Sequence, residues 1–300
     1  MLNVLSRPWY RYQPTKIIRR ALQCIGSPAK SVVVRLPWNT SIEVDPRETI
    51  GRSIWTTGIT DLSVCETICR LVEKGDSVID VGANIGFMTG LMAACVGPQG
   101  HVRCFEPNPQ VLTLLRSNLS KVEKSIGQKV VLNECAVSDF SGETYLECPV
   151  GFGDNHGLAS ITTDASKGIR VPVVRLDDLK LAENDVITVM KVDVEGHEAG
   201  VFLGAENLLK ERRIKFLIFE EHRGVDCDSF TLLQSFGYQV FRIGWNSNGL
   251  VYCPLASKPI HSAYEPANFI ATFDRTMLEK PMSELGFRVF SKRYWRQNSQ

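Results

Sequence analysis

Val78-Ile-Asp-Val-Gly-Ala-Asn-Ile-Gly-Phe-Met-Thr89 joins an apolar run, a glycine-spaced turn and a helix start, with the carboxylate of Asp80 at the tip of the run. A buried strand that feeds a turn and then a helix is the ligand-binding unit of parallel α/β sheets. The dinucleotide fingerprint needs glycines at three offsets. Here Gly82 and Gly86 stand four apart, with Asn84 and Phe87 where the other glycines would fall. A carboxylate at the strand end would also repel a pyrophosphate, whereas it suits the ammonium group of S-adenosylmethionine or amides that bind it. The loop by itself leaves both cofactor classes open.

Outward from the loop, strand signals recur near 78–82, 101–105, 130–136, 187–192, 214–219 and 238–243, with helical stretches near 86–95, 108–120, 198–210 and 228–236. This alternation predicts an α/β, Rossmann-like, doubly wound and mostly parallel sheet covered on both faces, with ligands beyond the carboxyl ends of its strands. Upstream, Leu62 to Glu73 has helical spacing and stops at Lys74-Gly75-Asp76, while Val32–Leu36 and Ser41–Val44 predict a small antiparallel cap. Residues 139–186 are rich in Gly, Ser, Asp and Thr, with strand candidates at Thr144–Leu146 and Arg170–Val174. They predict a β insertion before the fourth strand that overhangs the ligand edge. The chain divides into a basic leader (1–30), a strand-rich cap (31–60), a main domain (61–275) and a basic tail (276–300).

Three further clusters carry chemistry at strand tips. Val102-Arg-Cys-Phe-Glu-Pro-Asn108 puts Glu106 at the end of the second strand, about 20 residues past the glycine turn, where a carboxylate accepts both ribose hydroxyl hydrogens or complements a helix N-terminus. In Cys135-Ala-Val-Ser-Asp139, the small residues Ala136 and Val137 either flank an adenine ring or pack as ordinary strand. Met190-Lys-Val-Asp-Val-Glu-Gly-His-Glu198 concentrates Asp193, Glu195, His197 and Glu198 within six positions, more than helix capping explains. One strand later, Phe216-Leu-Ile-Phe-Glu-Glu-His222 repeats the layout with Glu220, Glu221 and His222. Two chemistries compete for this edge. One is a general base for an acceptor hydroxyl, and the other is a mixed His/carboxylate site for a hard divalent ion such as Mg²⁺.

Composition narrows the class. The 300 residues are 44% hydrophobic and allow one large or two modest domains, and a net charge of +1 gives no case for nucleic acid. Nine scattered cysteines, mostly in apolar runs, read as buried reduced thiols, which points to a reducing, cytoplasmic setting. No apolar run is long enough to span a bilayer. The first acidic residue is Glu43, so the leader is basic, and a short amphipathic helix around Lys16-Ile-Ile-Arg-Arg-Ala-Leu22 either touches an anionic membrane surface or packs on the domain edge. Lys292-Arg-Tyr-Trp-Arg296 in the tail has the same two readings.

The order of Gly75-Asp76, Ile79-Asp-Val-Gly-Ala-Asn-Ile-Gly86, Phe105-Glu-Pro-Asn108, Ala136-Val-Ser-Asp139 with Gly142, Arg175-Leu-Asp-Asp-Leu179, Lys191-Val-Asp-Val-Glu-Gly-His-Glu198 and Gly204-Ala205 resembles the FkbM family of S-adenosylmethionine-dependent methyltransferases. The resemblance covers roughly residues 50–275. It implies the class I methyltransferase fold, a seven-stranded sheet whose last strand, near Asn268–Ala271, is antiparallel. It also implies O-methylation of a small-molecule hydroxyl on a sugar, glycoside or polyketide-like metabolite. By the same resemblance Asp80, Gly82, Ala83, Asn84, Gly86, Phe87 and Glu106, with Ala136 and Val137, hold the cofactor, and Asp193, His197, Glu220 and His222 line the transfer site. His197 or Asp193 is expected to take the proton, with Glu220 or His222 orienting it. The rivals are an NAD(P)-dependent oxidoreductase or nucleotide-sugar enzyme on a similar sheet, and a non-catalytic cofactor-binding scaffold. The long loop 244–266 has no counterpart in the resemblance and is expected to carry substrate choice.

Overall fold

The computed structural model describes residues 8–13, 29–148, 159–162, 164–181, 185–255, 257 and 267–298. Helix α1 (Pro8–Tyr12) precedes a hairpin of β1 (Val32–Arg35) and β2 (Ser41–Val44), then α2 (Thr49–Thr57) and α3 (Leu62–Leu71). The alternating part follows, with β3 (Ser77–Val81), α4 (Phe87–Val96), β4 (His101–Phe105), α5 (Pro109–Ile126) and β5 (Val130–Asn133). The insertion comprises β6 (Ala136–Val137), β7 (Gly142–Glu147), β8 (Ser160–Thr162) and β9 (Gly168–Val174). Next come β10 (Ile187–Val192), α6 (Glu198–Gly204), α7 (Glu206–Lys210), β11 (Ile214–Glu220) and α8 (Asp228–Ser235). The chain closes with β12 (Gln239–Asn246), β13 (Gly249–Pro254), β14 (Asn268–Thr272), α9 (Thr276–Ser283) and α10 (Lys292–Asn298).

The main sheet runs β13-β12-β14-β11-β10-β3-β4-β5. Strands β11, β10, β3, β4 and β5 are parallel neighbours. This is the expected Rossmann-like, doubly wound layout, and β14 is antiparallel to both β11 and β12, as the resemblance implied. The sheet has eight strands where seven were expected. The extra one is β13, which pairs antiparallel with β12 around Ser247 and Asn248. The reading of 244–266 as loop missed a turn signal in Asn246-Ser-Asn-Gly249: the Asn248 N–H donates to Asn246 Oδ1 at 2.8 Å, and Gly249 takes φ 138°.

A second correction concerns the third strand, expected over 130–136. It ends at Asn133, whose carbonyl accepts the Glu106 N–H at 3.1 Å, and Ala136–Val137 leave the sheet to pair with Val173–Val174. The insertion before β10 is a four-stranded sheet of order β6-β9-β7-β8. The helix expected over 198–210 is two short ones, α6 and α7, divided at Ala205.

Period-2 alternation sends successive strand residues to opposite faces, and the two large apolar clusters follow it. Val78, Val189 and Ile218 join the cluster that includes α3, α4, α5 and the β1–β2 cap. Ile79, Val81, Met190, Leu217 and Phe219 join the cluster under α6, α7 and α8. The C-terminal segment belongs to the first cluster. Trp295 is 3% exposed, 6.0 Å from the Trp38 ring, which in turn sits edge-on to Phe87 at 5.3 Å. The helix read around Lys16–Leu22 lies outside the described residues. Among the described residues no helix is long and apolar enough to cross a membrane, and eight cysteines are free thiols.

Candidate functional site

The glycine loop is shaped by a close approach. Gly82 has φ 81°, and a Cβ there would lie 1.9 Å from the Asp193 carbonyl oxygen, so only glycine lets the loop after β3 pass the turn after β10. Gly86, at φ 86°, caps α4 against Leu115. The loop amides are already engaged. Gly82 and Ala83 N–H both donate to Phe105 O at 3.0 Å, Asn84 N–H to Glu106 Oε2 at 2.7 Å, and Gly86 N–H to Ala83 O at 2.8 Å. These four amides are therefore not directed at a ligand, unlike the free amides that cradle a pyrophosphate. Asn84, at φ 49°, keeps a buried Oδ1 without a hydrogen-bond partner among the described residues.

Glu106 accepts from the Asn84 N–H and, at 2.9 Å, from the N–H of Asn108, the N-cap of α5. Both readings of this residue meet here. The carboxylate ties the loop to a helix start, and each oxygen retains a lone pair for a further donor. Burial pushes its pKa from an ordinary 4.5 up to about 7 against the pull of those amides. The folded protein therefore holds a proton here that the unfolded chain releases, and stability falls as pH rises from about 4.5 to about 7. Glu106→Gln is expected to flatten that slope in melting temperatures measured across the window. Parallel slopes for variant and parent would show that Glu106 ionises normally.

Strand alternation then decides which tip residues meet. Asp80 follows Val78, Lys191 follows Val189 and Glu220 follows Ile218, so all three take the face covered by α3 and α4, with Lys191 opposite Asp80 in register. They converge on a cleft lined by Asp61, Met88, Lys191, Asp193, Glu220 and Asn268. Asp80 itself is fully buried: Oδ2 accepts from Thr89 Oγ1 and Oδ1 faces Lys191 Nζ at 3.5 Å. The ammonium partner expected for Asp80 is thus one the protein supplies. Lys191 Nζ also lies 3.2 Å from Asp193 Oδ2 and donates to Gly82 O at 3.2 Å. Burial alone would lower the Lys191 pKa, but Asp193 and Asp80 more than offset it and keep the group protonated.

The doubled carboxylates separate by the same rule. Glu220 lines the cleft, its Oε1 2.5 Å from Nε2 of His222, which is 57% exposed. Burial, and then the negative charges of Asp193, Asp61 and Glu195, push the Glu220 pKa well above the usual carboxylate range. Glu221 points the other way, to Arg223 at 2.8 Å and Ser229 at 2.8 Å. Burial would raise its pKa, yet these bonds hold it at about 2.

His197 does not join this group. Its Nε2 pairs with Ser138 Oγ at 2.8 Å, beside the insertion sheet, and burial lowers its pKa. The structure therefore does not bring His197, expected as a base, to the residues that line the cleft. Ala83, Phe87, Ala136 and Val137, expected at the cofactor, are all packed in apolar clusters, Phe87 at 3% exposure against Trp38. Small apolar residues at strand ends are as well suited to packing as to lining a ring. For the divalent ion, no group of three or more His, Cys, Asp or Glu among the described residues is placed to hold a metal.

Lys191, Asp61 and Asn268 were not singled out from the sequence. A lysine inside the mostly apolar Ile187–Val192 strand is a usable signal, because lysine is almost never fully buried unless paired. Asp61, the N-cap of α3 at φ 41°, and Asn268, on β14, reach the cleft from segments with no motif.

A model of the methyltransferase FkbM domain matches residues 80–240. The hexuronic acid methyltransferase AglP of Haloferax volcanii is 32% identical over 189 residues, a span of 61% of this chain and 72% of that protein. The 31-O-demethyl-FK506 methyltransferase FkbM of Streptomyces tacrolimicus is 32% identical over 201 residues, 56% of this chain and 75% of that protein. Among solved structures, a putative rRNA methylase from Clostridium thermocellum superposes over 71% of this chain and 96% of its own, at 12% identity and a TM-score of 0.42.

Proposed function

The chain belongs to the FkbM methyltransferase family, and from that premise we propose that it carries the methyl group of S-adenosylmethionine to a hydroxyl of a small molecule such as a sugar, glycoside or polyketide-like metabolite. The observation that carries this reading is the convergence of Asp193, Glu220 and Lys191 on one cleft, directly beside the Gly82 turn. Relatives named for a hexuronic acid and for 31-O-demethyl-FK506 support a small-molecule acceptor, and the second name supports oxygen as the methylated atom.

The residues fit the cofactor. Asn84 Oδ1 is buried and lacks a partner among the described residues, and the Glu106 oxygens each have acceptor capacity beyond one backbone amide, so these two would hold its polar groups. When bound, S-adenosylmethionine supplies a methyl on a sulfonium, already an excellent leaving group. The protein's own task is to position the acceptor and remove one proton. Asp193, with Oδ2 held by Lys191, accepts a hydrogen bond from the acceptor and orients it. Glu220, whose raised pKa makes it the stronger base, takes the proton, and exposed His222 relays it to solvent.

The test is incubation with methyl-labelled S-adenosylmethionine and a metabolite extract, followed by mass identification of the labelled product. Label on a hydroxyl oxygen of a small molecule is the expected result. Label on nitrogen, on carbon or on macromolecules only would overturn the acceptor assignment.

A further inference from the structure

We propose that Lys191 is a positioning residue that clamps the glycine loop to the acceptor side of the cleft and holds the Asp193 carboxylate in place there. The inference rests on the methyl-transfer reading of this cleft. It comes from three oxygens around one buried ammonium, two from β3 and the loop that continues it and one from the turn after β10. Gly82 O belongs to the loop after β3 and lies at 3.2 Å, Asp193 Oδ2 belongs to the turn after β10 and lies at 3.2 Å, and Asp80 Oδ1 belongs to β3 itself and lies at 3.5 Å. The ammonium donates to Gly82 O and pairs with the Asp193 and Asp80 carboxylates, so its charge is directed at the protein's own groups. Its action on the reaction therefore passes through the groups it holds.

Two consequences follow from the geometry. The first is mechanical: Gly82 sits where a Cβ would strike the Asp193 carbonyl, so loop and turn touch, and Lys191 is the polar bridge across that contact. The second is electrostatic. The titratable groups around Lys191 are Asp80 from β3, Glu106 from the end of β4, Asp61 and the Cys65 thiol from α3, Asp193 and Glu195 from the turn, and Glu220 from β11. Lys191 pairs with Oδ2 of Asp193, whose side chain is 36% exposed and so accessible to an acceptor hydroxyl. Without the cation, Asp80 and Asp193 are like charges around an uncompensated site, and a proton takes its place.

The experiment compares Lys191→Met, Lys191→Met/Asp80→Asn and Lys191→Arg with the parent in three ways. These are melting temperature, calorimetric binding of S-adenosylhomocysteine, and the pH profile of label transfer from methyl-labelled S-adenosylmethionine into the extract. Removing the buried Asp80 charge together with Lys191 is expected to restore the melting temperature that Lys191→Met loses. The double variant still binds S-adenosylhomocysteine about tenfold more weakly, the loss of one loop contact. Its acid limb also moves up by about one to three pH units, because Glu220 loses the lowering effect of the Lys191 charge. Lys191→Arg, which keeps the charge, holds the limb at the parent's position even if binding weakens. A double variant with the parent's affinity and pH profile would reduce Lys191 to a counter-ion of Asp80 and overturn the proposal, as would an acid limb that moves equally in Lys191→Arg. Failure of the parent to bind S-adenosylhomocysteine at all is a different result and overturns the methyl-transfer reading itself.

Discussion

Glu220→Gln is expected to lower methyl transfer by about 10²- to 10⁴-fold while leaving the melting temperature close to the parent's. Glutamine keeps the shape and the hydrogen-bonding length of the side chain, so what it removes is the ability to accept a proton. The size follows from the position of Glu220 among Asp193, Asp61 and Glu195, where burial and like charges raise its affinity for a proton. The same shift fixes the direction of the pH dependence. A base must be ionised to act, so the parent rate climbs with pH across the neutral range, and the residual rate of Glu220→Gln loses that climb. Glu221→Gln is the control. Glu221 lies on the opposite face of the sheet with Arg223 and Ser229, and its loss is expected to affect stability rather than the pH profile. Full turnover in Glu220→Gln, with S-adenosylhomocysteine binding unchanged, would return the base role to Asp193.

The second large effect concerns stability. Arg70→Met is expected to cost about 3–5 kcal/mol, because it breaks a buried pair and leaves one charge behind. Arg70 Nε lies 2.7 Å from Glu66 Oε1, and both side chains are fully buried. The remaining guanidinium donors reach Pro281 O at 2.7 Å, Glu284 O at 2.9 Å and Gly286 O at 2.7 Å. Glu66 in turn accepts the N–H groups of Arg288 and Val289, each at 3.0 Å. The pair thus fastens the segment after α9 to α3, and losing the guanidinium strands three carbonyls as well as a carboxylate. At roughly 2–4 °C per kcal/mol, the melting temperature drops by on the order of 10 °C. Glu66→Leu/Arg70→Met removes both charges and is expected to be less destabilised than Arg70→Met alone. A single variant that melts within about 2 °C of the parent would mean that the pair contributes little.

The alternating strands and helices and the β insertion were legible because each rests on local periodicity and turn chemistry, whereas the antiparallel β14 was implied by the family resemblance alone. The boundaries that failed did so for tertiary reasons. Ala136–Val137 has ordinary strand character, but nothing local says that it leaves β5 and pairs with Val173–Val174. The β12–β13 hairpin has its turn signal in Asn246-Ser-Asn-Gly249, but the residues that follow have the composition of a loop.

In the candidate site, the sequence by itself determined that carboxylates cluster at the tips of neighbouring strands and that the glycine loop departs from a dinucleotide cradle. Chemistry of that kind depends on residue type and spacing along one segment. Only the tertiary structure decided how those charges are shared. It turned Glu220 into the cleft and Glu221 away from it, drew His197 off to Ser138, and set Lys191 between Asp80, Asp193 and Gly82. The physical reason is that a buried charge is settled by what faces it across the sheet. Register and side-chain direction, which no single stretch of chain specifies, fix that partner.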